Sequence, residues 1–341
     1  MAMRRYLISL ILAAGAACIN DPSESSIPGV YQQEFLLLWN LFDESYVGFQ
    51  EKEVDWELCY SMYIEDAGSI ASREEMTALE LQLLSHLEDR SVRLISPGGG
   101  SYYPYEPDHF VNCDSAVLME YLEPSGFQWT QEGLWGFCLA GPDSIPYFVI
   151  RAWDSSFNMS LFDNILHPLA QEPAVIIDIR LASGSHDGTA ANCARRFVDA
   201  QVIGHYTQER LGTENYDLAP PVPVTLIPRG WHFEGEVLLL TGEGDSGTSE
   251  MFACDMSQLP SVTIMGDTTQ GKGNWISEYR ELPDGWYVTC PGTTLLTADS
   301  LYIEGAGLSP DILVISSSED FQNGVDPVLE AAFACLGAEV P

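Results

Sequence analysis

Lysine is nearly missing from this chain: Lys52 and Lys272 are the only two in 341 residues. With the arginines they make 14 cations against 50 acidic residues, a net charge of −36. So acidic a surface repels phosphate backbones and anionic headgroups, which disfavours nucleic acid and anionic lipid as partners and suggests an ion-rich setting. Cysteine is sparse and scattered, at positions 18, 59, 113, 138, 193, 254, 290 and 335. No pair has the Cys-x-x-Cys spacing of zinc or redox sites, and no metal or cofactor is expected. Cys113 and Cys138 flank one β-rich segment and are the first candidates for a disulfide in an oxidising compartment. There is no internal repeat and no low-complexity tract. The apolar stretch near the N-terminus is too short to span a membrane.

That stretch has another reading. Arg4 and Arg5 precede an apolar run from Tyr6 to Leu12, then Ala13-Ala14-Gly15-Ala16-Ala17 leads to Cys18. Charged, apolar and small regions in that order make residues 1–18 an export signal. Cys18 is the expected lipidation site, although Gly15 stands where lipoprotein boxes usually carry leucine; a plain secretory signal is the alternative. The polar segment 19–30 then serves as a tether.

Residues 31–95 carry helical periodicity. Phe35, Leu38, Trp39, Phe42 and Tyr46 share one face, Trp56, Tyr60 and Ile64 a second, and Ser72-Arg73-Glu74-Glu75 reads as a capping box before Met76, Leu79, Leu83 and Leu87. Glycine, proline and tyrosine dominate the next stretch, so 96–144 reads as irregular β structure. From Ile145 the pattern becomes α/β: apolar strands at 145–151, 174–180, 235–242 and 262–266 alternate with helical segments, among them 155–169 and 190–200.

The stretch from Gly235 to Gly273 organises the rest. A buried strand runs into Glu243-Gly244-Asp245-Ser246-Gly247-Thr248-Ser249, a turn rich in groups that cap a helix N-terminus, and Glu250 to Met256 forms that helix. A second strand leads to Thr268-Thr269-Gln270-Gly271-Lys272-Gly273. A hydroxyl-bearing turn beside a lysine loop has the parts of a serine/lysine nucleophile site. Gly244-Asp245-Ser246-Gly247 also matches the Gly-Asp-Ser-Gly of chymotrypsin-like proteases. That fold is all-β, whereas this turn lies between a strand and a helix, and none of the six histidines has the motif such a protease needs.

This arrangement resembles the tail-specific protease family, the C-terminal processing peptidases, without an evident PDZ domain. Asp178-Ile179-Arg180 at a strand end, the turn Leu282-Pro283-Asp284-Gly285, the segment Gly307-Leu308-Ser309-Pro310-Asp311 and the closing helix from Asp326 are similar to family motifs in the family's order. The resemblance implies a crotonase-like α/β domain over 145–337, preceded by the small helical domain, and a peptide or protein substrate. It also implies a serine nucleophile three residues before Glu250. That position is Gly247, and the family's serine-to-lysine interval counted back from Lys272 reaches Gly247 as well. Leu87-Glu88-Asp89-Arg90-Ser91 resembles a family segment in which Ser91 stands where the tricorn-like branch has a catalytic histidine.

The expectation is therefore an exported member of this family whose activity is weak or lost, with a non-catalytic peptide-binding protein as the alternative and a structural envelope protein as a third reading. If it is active, Ser246 attacks, Lys272 is the base, and N–H groups of Gly247, Ser183 and Gly184 hold the oxyanion. The bland reading of Ser246, Thr248 and Ser249 is helix capping. For Lys272 it is an ion pair with Asp245, Glu250 or Asp267, which would oppose the fall from a pKa of about 10.4 that a base needs. His186, beside Asp187 in the oxyanion loop, is a weaker candidate base. Intact mass spectrometry checks the N-terminal reading: the expected species begins at an acylated Cys18, and an unmodified N-terminus beyond Cys18 leaves only secretion.

Overall fold

A computed structural model describes residues 29–212 and 217–341. The expected export signal, Cys18 included, lies outside those residues. Helix α1 (Val30–Ser45) buries Phe35, Leu38, Trp39 and Phe42. Helix α2 (Trp56–Ser69) starts where the Asp55 carboxylate accepts from Leu58 N. Helix α3 (Arg73–Ser85) starts at Ser72, whose hydroxyl accepts from Glu75 N, while Glu75 reaches past the cap to accept from Ala71 N. These helices share one core with Leu282, Val288 and Cys290 of the sheet described below.

Strands β1 (Arg93–Ile95) and β2 (Ser101–Tyr102) come next. The segment 96–144, expected as irregular β structure, also holds helix α4 (Ser115–Leu122). Its signal is Asp114, whose carboxylate accepts from Ala116 N and Val117 N ahead of an apolar face. Strands β3 (Gln128–Trp129), β4 (Trp135–Ala140), β5 (Ile145–Ile150) and β6 (Ala152–Trp153) lead to α5 (Met159–Leu166), β7 (Ala174–Asp178) and β8 (Ser183–Gly184). Helix α6 (Asp187–Ala194) begins three residues before its expected start at 190, because the His186 ring caps it by accepting from Thr189 N. Then follow β9 (Val202–Glu209), β10 (Val222–Leu226), β11 (Glu236–Thr241), α7 (Thr248–Met256), β12 (Val262–Gly266), β13 (Asn274–Leu282), β14 (Trp286–Thr297), β15 (Ile312–Leu313), α8 (Ser318–Gln322) and α9 (Pro327–Cys335).

Two sheets carry the architecture. One runs β15-β12-β11-β7-β5-β4-β3, parallel from β15 to β5 and antiparallel beyond it. Its central strands are buried on both faces, so alternate residues enter different cores. Val175, Ile177, Val237 and Leu239 pack with α5, α6 and α7, while Ile176, Leu238 and Leu240 pack with α4 and α9. The other sheet is antiparallel, ordered β10-β9-β14-β1-β2, with β13 on β14 through the Pro283-Asp284-Gly285 turn.

The Asp-Ile-Arg strand end has a structural role. Arg180, fully buried, donates to Asp178 and, through both terminal nitrogens, to Asp326 at 2.8 and 2.9 Å. Tyr147 Oη donates to Asp178 at 2.8 Å, and Asp326 accepts from Leu329 N as the cap of α9. One guanidinium thus fastens the closing helix to the parallel sheet.

The cysteines depart from expectation. None of the seven in the described residues forms a disulfide, Cys113 and Cys138 included. Both lie in the apolar core beside α4, where burial pushes the Cys138 thiol up to about 12 and raises that of Cys113 further. Among the described residues no helix is long and apolar enough to cross a membrane.

Removing one partner of a buried ion pair strands the other, at about 3–5 kcal/mol. Asp326→Ala is therefore expected to lower the urea unfolding free energy by that amount. A loss below about 1 kcal/mol, the size of an exposed pair, would count against the clamp.

Candidate active site

The parallel strands β7, β11 and β12 all end on one edge of the sheet, and the loops that leave them meet there, as ligand-binding loops of α/β sheets do. The loop after β11 turns back into α7 within six residues. Inside it the buried Asp245 carboxyl accepts from Gly242 N at 2.9 Å, and the Asp245 carbonyl accepts from Gln270 N of the lysine loop at 2.8 Å. Burial raises the Asp245 pKa well above its ordinary value despite the Gly242 N–H, and the charges of Asp178 and Glu250 add to the rise.

Gly247 is the last residue of the turn, with φ +57° and ψ −112°. That is the sharp, strained strand-to-helix elbow on which a nucleophile is displayed, and L side chains adopt it only at a cost of about 1–3 kcal/mol. A Cβ built there meets nothing within 4 Å. The backbone has the shape and the space for a nucleophile; the residue has no side chain.

Glu250 joins the elbow to the lysine loop. Its fully buried carboxylate accepts from Gly247 N (3.0 Å), Lys272 N (2.8 Å), Gly271 N (2.6 Å) and Thr269 Oγ1 (2.7 Å). Burial raises its pKa against those four donors. Gly271, at φ +75°, lies so close to the backbone of 305–307 that a Cβ would meet it at 2.9–3.0 Å, so the loop that aims Lys272 also requires a glycine.

Ser246 and Gly247 of the turn line one cavity of about 340 Å³ with Gly184, Ser91 and Lys272 from other parts of the chain. Lys272 Nζ has no carboxylate within 4 Å among the described residues, so the expected pairing with Asp245, Glu250 or Asp267 is absent. Asp245 and Glu250 instead hold backbone N–H groups. The N–H groups expected at the oxyanion differ too: that of Gly247 donates to Glu250, and that of Ser183 to the Arg151 carbonyl at 2.9 Å. Thr248 N has no acceptor among the described residues. In an elbow the residue after the nucleophile supplies an oxyanion donor, which here is Thr248.

The neighbouring hydroxyls are engaged. Thr248 Oγ1 donates to Asp187 at 2.6 Å, and Ser249 Oγ accepts from Trp153 Nε1 at 3.0 Å. His186 is occupied as the cap of α6 and does not line the cavity. Sequence reasoning missed Asp187, Asn274, Trp275 and Tyr279, which complete the wall. Asp187 carried a signal in its place beside His186, while the other three follow the lysine loop on β13 without a motif of their own.

Ser91, in place of the expected histidine, is buried in a polar network. Its hydroxyl donates to the Asn274 carbonyl and its N–H to Asp89, which also accepts from Tyr46 Oη and Asn274 Nδ2. Asn274 N donates to Glu304, and Glu304 meets Lys52 Nζ at 3.0 Å. Burial and the charge of Asp89 raise Glu304, with Lys52 opposing them. Glu51, half buried nearby, is pushed up to about 7, first by burial and then by Asp89.

Two expectations follow. Glu250→Gln turns an acceptor of two N–H groups into a donor, so it should cost on the order of 3 kcal/mol and loosen the lysine loop, read as faster amide exchange at Gly271 and Lys272. Unchanged exchange would remove Glu250 as the link. Glu51 and Glu304 have folded-state pKa values above their unfolded ones, so they bind protons more tightly when folded. Their contribution to stability is complete below about 4.5 and is lost as pH rises through about 7 and beyond. Thermal melts should therefore show greater stability at pH 5 than at pH 8, with the difference reduced in Glu304→Gln; a fall in stability from pH 8 to 5 would contradict this.

Comparison with known proteins supports the same assignment. The model of peptidase family S41 matches residues 145–314. The chain is 25% identical over 174 residues to the tricorn protease of Thermoplasma volcanium, covering 50% of this chain and 15% of that protein. It is 28% identical over 145 residues to a probable CtpA-like serine protease of Staphylococcus epidermidis, covering 41% and 27%. The chain thus spans less than a third of the length of either relative. A candidate peptidase of Parabacteroides merdae, known from its crystal structure, aligns over 91% of this chain and 98% of its own at 26% identity, with a TM-score of 0.83. The fold is the crotonase-like α/β class, and with its elbow, lysine loop and strand ends in the family's order, the chain belongs to peptidase family S41.

Proposed function

We propose that this S41-family protein binds peptides or unfolded protein tails in the cavity between the elbow and the lysine loop, and hydrolyses them weakly or not at all. The observation that carries this reading is Gly247, a residue without a hydroxyl in an elbow that keeps its strained shape. The binding surface needs no nucleophile: Asp187, Trp275 and Tyr279 wall the cavity whether or not a serine is present. The order of charged, apolar and small residues before Cys18 supports binding outside the cytoplasm, on a lipid anchor at Cys18.

A serine peptidase is the second reading, favoured by the position of Ser246 in the same cavity as Lys272. In that reading Ser246 Oγ attacks the peptide carbonyl, and the Lys272 amine takes the hydroxyl proton and returns it to the leaving amine. The Thr248 N–H stabilises the oxyanion, and water then hydrolyses the acyl-enzyme. The turn must shift by one residue for this, and a displacement of about 1 Å costs on the order of a hundredfold in rate.

Hydrolysis of an unstructured fluorogenic peptide decides between them. The wild type is expected at or near background, and Gly247→Ser should raise turnover at least tenfold while lowering stability by about 1–3 kcal/mol from the positive φ. An active wild type that Ser246→Ala abolishes and Gly247→Ser does not improve would establish the second reading instead.

A further inference from the structure

Lys272, on the wall of the cavity beside the elbow, also lines a smaller one of about 150 Å³, together with Arg90, Tyr103, Tyr105 and His109. Arg90 Nη1 donates to the Gln270 carbonyl at 2.6 Å, so this guanidinium is fixed to the loop that carries the lysine. Four other cations meet carboxylates: Lys52 meets Glu304, Arg73 meets Glu34 and Glu80, Arg180 meets Asp178 and Asp326, and Arg196 meets Asp163. Neither Arg90 nor Lys272 has a carboxylate within 4 Å among the described residues. In a chain with 50 acidic residues and 14 cations, two cations converge on this one small cavity. The acid on that cavity's wall is Glu106, which is exposed; the acid of the larger cavity, Asp187, accepts the Thr248 hydroxyl.

We propose that Lys272 and Arg90 form a carboxylate subsite of the groove, so that this protein selects peptides bearing a carboxylate next to the segment that lies across the elbow. The proposal rests on the peptide-binding reading above. It gives Lys272 a role that needs no nucleophile, because an ammonium beside a guanidinium makes charge-assisted hydrogen bonds to an anion from two sides. The space suits a carboxylate-bearing side chain or a chain end, with Tyr103 and Tyr105 against its apolar stem. The protein's overall negative field works against an acidic ligand at long range, but charges beyond about 8 Å are largely screened at 0.15 M salt, whereas contact inside a cavity is screened much less. Selection therefore acts at contact.

The test is fluorescence anisotropy on the full chain at 0.15 M salt with four peptides of one unstructured sequence: a C-terminal acid and its amide, each with an internal Asp or Asn. At least one carboxylate should tighten binding about tenfold, ~1.4 kcal/mol, over the doubly neutral peptide. Lys272→Met and Arg90→Gln should each cut that preference at least fivefold, bringing the carboxylate peptide toward the affinity of the neutral one. Which carboxylate matters identifies the source. Equal affinity for all four peptides, or variants that weaken all four alike, would overturn the subsite and leave the groove standing. If no peptide binds, the groove reading fails, and the subsite is read without it. After ¹³C-methylation the two lysines give separable signals; glutarate should shift Lys272 and leave Lys52, held by Glu304 and the Glu88 carbonyl, in place. No shift of Lys272 overturns the subsite there too.

Discussion

The site depends on one buried carboxylate. Glu250 sits on the first turn of α7 and accepts four hydrogen bonds, one from the elbow and three from the lysine loop. Two loops that leave different strands are held in register by a group that never reaches the cavity. A carboxylate can do this where a neutral side chain could not, because it offers about four acceptor positions with no donor to satisfy, and hydrogen bonds to a charged acceptor are roughly twice as strong as neutral ones. Its burial is costly, as the upward push on its pKa attests, and the four donors offset that cost.

The architecture can therefore outlast the chemistry. None of the contacts that shape the elbow involves a side chain at position 247, so glycine there leaves the turn, helix α7 and the lysine loop intact. The same holds at position 91, where a serine hydroxyl bound to the Asn274 carbonyl joins the network of Asp89, Glu304 and Lys52. Both residues fit the fold without supplying the group that the family resemblance implies there. They distinguish a fold, which rests on backbone geometry and buried charge, from an activity, which rests on one or two functional groups.

Much of this could be read from the sequence. The strands at 174–178 and 236–241 are visible as apolar runs because both their faces are buried, and the elbow as a glycine- and hydroxyl-rich break between a strand and a helix. Gly247 and Lys272 were singled out by register and Ser91 by its place in a motif, and the structure brings all three to one cavity. What stayed hidden was of two kinds. Helix α4 is eight residues long and lies in a segment where glycine, proline and tyrosine mask its one clear signal, the Asp114 cap. The other kind was pairing: that Gly247 N and Ser183 N already have acceptors, that Lys272 Nζ has no carboxylate within 4 Å among the described residues, and that Cys113 and Cys138 form no disulfide are facts of three-dimensional placement. No spacing along the chain encodes them.

The central claim is that a nucleophile elbow without a nucleophile lies beside a lysine whose Nζ has no carboxylate within 4 Å among the described residues. Intact-mass analysis after treatment with a fluorophosphonate tests it most directly, because the reagent reports an activated hydroxyl whatever the peptide preference. The account predicts no adduct on the wild type and a single adduct, mapped to the elbow, on Gly247→Ser. A stoichiometric adduct on wild-type Ser246 would contradict it.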